Sequence, residues 1–216
     1  LTDVTGVQTC ALPICGNPEE RQSRDQGPQV HHRICAREAL DRVLARLDCF
    51  QGRPVLWDFA EGLRVRGGRL ETGPGAGVEV HAASWARRRE ILLDSALAAS
   101  ENELARIAAH ELFHFVWLRM NNARRLAWGE LLAAEETRGE LGWSSEWRRR
   151  ALAGDDARLN TRRWREYVSE SFCDTGAWIV TGLPGDQDVT PGARWIRRRE
   201  RFFRELRSHW NGVWRI

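Results

Sequence analysis

His110 and His114 stand four residues apart in the stretch HELFHF, with Glu111 directly after the first histidine. On an α-helix, positions four apart lie one above the other, so both imidazoles can present a ring nitrogen to one ion. Zinc takes such nitrogens at about 2.0–2.1 Å. Glu111 falls about 100° further round the helix, beside the ion but not on it. A carboxylate there can take a proton from zinc-activated water and pass it to a leaving amine. The spacing H-E-x-x-H therefore points to zinc and to hydrolysis, against a chance match on a buried helix. Two histidines do not complete the shell.

The only later histidine is His209, in an Arg-rich terminal segment. The stretch REYVSESFCDTGAW offers carboxylates instead: Glu166, Glu170 and Asp174 are spaced i, i+4, i+8 on one face of an expected helix. Three acids in a row repel one another. Val168, Phe172, Ala177 and Trp178 lie between and beyond them, so the helix is amphipathic, and a nearby cation accounts for acids so placed. The alternative is a solvated acidic stripe balanced by Arg163 and Arg165. Cys173 reads as a packed thiol on a different face from Glu170.

HELFH followed by ESFCD resembles the gluzincin branch of the zincin metallopeptidases. The lead-in EILLDSALAASENELARIAAHELFH also resembles the strand–helix start of ImmA/IrrE-type and minimal gluzincin domains. Trp117 and Met120 stand where a metzincin carries Gly and His, which removes that subclass. The resemblance covers residues 90–174. It implies His110, His114 and Glu170 as zinc ligands and Glu111 as general base. Asp174 would then orient a ligand histidine through its other ring nitrogen. Glu166 is the alternative ligand, with Glu170 then in the orienting place. The resemblance further implies an oxyanion-stabilising group, for which Tyr167 and His209 are the candidates, and residues 90–94 as an edge strand receiving extended substrate.

The elements that must position these residues follow from periodicity. Ile34, Leu40, Val43, Leu44 and Leu47 mark a first helix. GVEVHAASW alternates like a half-buried strand, and residues 89–97 give a second. Ser100, with Glu103 three residues on, is a capping box that opens a helix running to about Met120. Helical pieces broken near Gly139, Gly142 and AGDD fill 121–165. Further helices span about 161–180 and 193–210. The expected fold class is α+β: a mostly helical, zincin-like domain over 31–216 with a small sheet packed on the HExxH helix.

VTGVQTCALPI, residues 4–14, looks like the translation of a sequencing adaptor, so residues 1–15 are set aside, and 16–30 read as a disordered leader. Three cysteines remain, Cys35, Cys49 and Cys173, without C-x-x-C spacing. That argues against disulfides and thiolate zinc sites and for a reducing cytoplasm. All 33 basic residues are Arg, and the net charge of +3 does not argue for a nucleic-acid partner. No apolar run is long enough to span a membrane. The helix at 193–210 carries seven arginines, read as a solvated face. The expected activity is zinc-dependent peptide-bond hydrolysis of a peptide or protein substrate. The alternatives are a non-catalytic zincin-like module binding protein or nucleic acid through its Arg-rich helices, and a helical binding protein with a fortuitous motif.

Overall fold

The computed structural model describes residues 7–10, 29–135, 139–183 and 191–216. The adaptor-like stretch beyond residues 7–10, and the leader up to residue 28, lie outside them. The fold is α+β and mostly helical. Contacts gather into two compact units: residues 1–46 with 54–105, and residues 47–53 with 106–216.

In the first unit, α1 (Gln29–Arg46) turns Ala36, Ala39, Leu40 and Val43 inward. Four strands form one sheet in the order β1 (Val7–Cys10), β7 (Ala82–Trp85), β8 (Glu90–Asp94), β3 (Leu56–Ala60). β8 is antiparallel to β7 and parallel to β3, so both its edges are hydrogen-bonded. This corrects the expectation of an edge strand at 90–94: no free edge remains there to receive a substrate. A second sheet joins β4 (Arg64–Arg66), β5 (Arg69–Glu71) and β6 (Val78–Glu79). Gly67 and Gly68, at φ 55° and 76°, form the two-residue turn between β4 and β5, a conformation that favours glycine.

GVEVHAASW is thus not one strand. Its first half pairs with β4, and its second half pairs with β8 in the other sheet. Val78 is exposed, whereas residues 80 to 84 are buried on both faces. Asp94 ends β8 and caps a 3-10 turn over Ser95–Ala99, accepting from the Ala96 and Leu63 amides.

α2 (Glu101–Arg119) begins as the capping box requires, the Glu103 amide donating to Ser100 Oγ at 3.3 Å. From Ile107 to Val116 it is buried on every side. Arg125 closes its far end, donating to the carbonyls of Trp117 and Leu118.

The second unit adds α3 (Asn122–Ala133), α4 (Trp143–Arg150), α5 (Asp156–Leu159), α6 (Arg162–Thr181), α7 (Ala193–His209) and the parallel pair β2 (Phe50–Gln51) and β9 (Trp214–Arg215). Thr161 caps α6, and Gly182, at φ 66°, ends it in the left-handed conformation. Phe113 of α2 lies at the centre of the core, with Phe50, Phe172, Phe203 and Trp214 edge-on around it at 5.2–5.8 Å between centroids. Gly176 brings α6 against this ring: a Cβ there would sit 2.6 Å from Phe113. This close approach faces α6 towards the histidine pair.

Candidate metal centre

α2 and α6 bring together His110, His114, Glu170, Cys173 and Asp174, all at most 3% exposed. Glu111 is fully buried on α2 beside His110. The two imidazole centroids are 4.9 Å apart. Asp174 Oδ1 lies 2.7 Å from His110 Nδ1, and Glu170 Oε2 lies 3.3 Å from His110 Nε2. The opposite oxygens of both acids belong to α4. Ser145 donates to Asp174 Oδ2 from its amide at 2.8 Å and its hydroxyl at 2.7 Å, and Arg148 Nε lies 3.6 Å from Glu170 Oε1.

Cys173 corrects the sequence reading. It follows Glu170 by three residues, which is 300° of helix and so only 60° away from it. Its Sγ lies 3.2 Å from His114 Nδ1. Among the described residues, one group offers three donor atoms all within 4.8 Å of one another: His110, His114 and Cys173; Glu170 is not in it and meets His110 at 3.3 Å.

Distances separate ligand from neighbour. Two ligands on one tetrahedral zinc lie about 3.4 Å apart for nitrogen and oxygen, and about 3.6 Å for nitrogen and sulfur. The 3.3 Å between His110 Nε2 and Glu170 Oε2 matches the first value, and without a metal the same contact is an ion pair when His110 is protonated. The 3.2 Å between Cys173 and His114 is shorter than the second and is a hydrogen-bonding distance. With Nε2 of His114 on a metal, Nδ1 carries the proton and donates to the thiol. The residues present therefore fit a metal ion between His110, His114 and Glu170, with Asp174 on Nδ1 of His110 and Cys173 on Nδ1 of His114.

Ionisation agrees with this arrangement. Burial lowers the pKa of His114 to about 4, against the opposing pull of Glu170. For Glu170, burial would raise the pKa, but the His114 and His110 rings and Arg148 outweigh it and bring it to about 2. Burial pushes the Cys173 thiol well above its ordinary value, so it is a neutral partner.

Two other candidates are placed elsewhere. The Tyr167 hydroxyl donates to Glu140, in a buried cluster with Ser171 and Arg199, and burial raises its pKa well above the ordinary phenol value. Its hydroxyl is committed to that cluster rather than turned to the histidine pair. Glu166 is 36% exposed and pairs with Arg148 and Arg162 at 2.8 and 2.7 Å, which satisfies it as a surface acid rather than a ligand. His209 is exposed at the end of α7. Sequence reasoning missed Ser145 and Arg148, because only the folded chain carries α4 to α6. Comparison with family models, with curated proteins and with solved structures finds no match for this chain.

Proposed function

We propose that this cluster holds one zinc ion through His110, His114 and Glu170, and that the chain is a gluzincin-like metallopeptidase acting on peptide or protein substrates. The observation that carries the reading is the buried Glu170 carboxylate, whose Oε2 lies at ligand–ligand distance from His110 Nε2. Zinc bound there supplies a Lewis acid for the scissile carbonyl and lowers the pKa of water. Glu111 takes the proton from the attacking water and returns it to the leaving amine. Asp174 and Cys173 fix the tautomers that turn both Nε2 atoms inward. Cys35, Cys49 and Cys173 are free thiols, which suits a reducing compartment such as the cytoplasm. No helix among the described residues is long and apolar enough to cross a membrane.

Burial favours a second reading, in which the metal is structural. His110, Glu111, His114 and Glu170 are at most 2% exposed, and grooves of about 630, 640 and 710 Å³ in this unit are lined by other residues. Zinc stoichiometry and peptide hydrolysis measured on the same samples decide between the two. The expected result is one zinc per wild-type chain, lost in Glu170→Ala and kept in Cys173→Ala. Glu111→Gln keeps its zinc but loses about 10²–10⁴-fold in rate. Wild-type protein that takes up no zinc on reconstitution sinks both readings. Zinc-loaded wild type with no hydrolysis leaves the structural one.

A further inference from the structure

We propose that Ser145 is a positioning residue for His110, acting through the Asp174 carboxylate. This rests on the zinc reading above. Asp174 has one oxygen on His110 Nδ1 and the other on α4, where the Ser145 amide and hydroxyl both donate to Oδ2. The hydroxyl also lies 3.0 Å from the Gly142 carbonyl, but its one proton is better used on the carboxylate at 2.7 Å. Ser145 is fully buried, so water cannot replace it.

Gly142 closes the remaining side. A Cβ there would overlap the Asp174 carboxyl group, so the glycine leaves just the space the carboxylate fills. Held by two donors and walled by Gly142, the carboxylate has one orientation, in which Oδ1 fixes the proton on His110 Nδ1. Nε2 then faces Glu170 at 3.3 Å as the nitrogen that a bound metal would take. Ser145 touches neither metal nor substrate. It fixes the tautomer and angle of the ring that does.

The rival role is structural: Ser145 simply helps Asp174 cap the start of α4. Two readouts separate them in Ser145→Ala, Ser145→Cys and Ser145→Thr. The first is zinc affinity by competition with a chelating indicator. The second, on metal-free protein, is the NMR resonance of the His110 Nδ1 proton. The proposal expects Ser145→Ala to weaken zinc binding about tenfold, the lower end for residues behind a ligand, and to move the resonance upfield. Ser145→Cys, a weaker donor of similar size, shifts both in the same direction by less. Ser145→Thr restores both. Folded Ala or Cys variants with wild-type affinity and resonance overturn it, whatever their melting temperature. If wild-type protein binds no zinc, the functional reading fails, and the metal-free resonance still decides the role of Ser145.

Discussion

In the metal-free protein, His114 and Glu170 already hold the states a cation needs, a neutral imidazole and a carboxylate. The folded His114 value lies below the unfolded one, so the unfolded chain takes up this proton first as pH falls. Its contribution to stability is therefore full near neutrality and is lost as pH drops from 6.5 through about 4. A shift of that size corresponds to roughly 3 kcal/mol. Glu170 acts in the same direction at lower pH, losing its contribution as pH falls below the ordinary carboxylate value towards about 2. Urea midpoints of metal-free protein are thus expected to fall steadily from pH 7 to pH 4, with a shallower fall in His114→Phe. At this scale the sequence was informative wherever helix geometry alone sets the neighbours: His110 with His114, and Glu170 with Asp174. It was silent on the partner of Tyr167, whose hydroxyl is held by Glu140, a residue 27 positions away that no local spacing connects to it.

Helix α6 can serve α2 only because Gly176 lets the two approach. In Gly176→Ala the new Cβ would meet the Phe113 ring at 2.6 Å. Overpacking of this kind costs about 1–3 kcal/mol, partly offset by the better helix propensity of alanine. A lower melting temperature and weaker zinc binding are expected together, and Phe113→Leu in the same chain should recover part of both. If Gly176→Ala keeps wild-type zinc affinity, the spacing of these helices is not set there. The helix ends were legible because their signals are local, as at Ser100, Thr161 and Gly182. The split of GVEVHAASW between two sheets was not. Alternation says which residues face inward but not which strand lies alongside, and Leu63 and Asp94 draw Val80 and His81 into different pairings.

Across the second unit, Arg199 ties the end of α3, the start of the α4 region, α6 and α7 into one buried ionic cluster. It donates to Glu135 at 2.7 and 2.8 Å and to Glu140 at 2.8 Å, with Ser171 and Thr175 at 3.2 Å. The sequence reading gave the α7 arginines a solvated face, which six of the seven have. Arg199 departs from it because it lies four residues from both Trp195 and Phe203, on the apolar stripe. Charge outweighed position in the sequence reading, whereas in the fold position decided. Arg199→Ala leaves two acids buried without their cation and should cost about 3–5 kcal/mol. Arg199→Lys should recover only part, since a single ammonium cannot reach both carboxylates in bidentate fashion. Chemical denaturation of the zinc-free protein measures both.

Donors this deeply enclosed also set a clock. A chelator would reach an ion held as proposed between His110, His114 and Glu170 only once the surrounding helices part, so its removal would follow the frequency of local opening rather than chelator supply. The rate of zinc loss should therefore level off as chelator concentration rises. The plateau should shift upward in Gly176→Ala, turning metal release into a stopwatch for the breathing of α2 against α6.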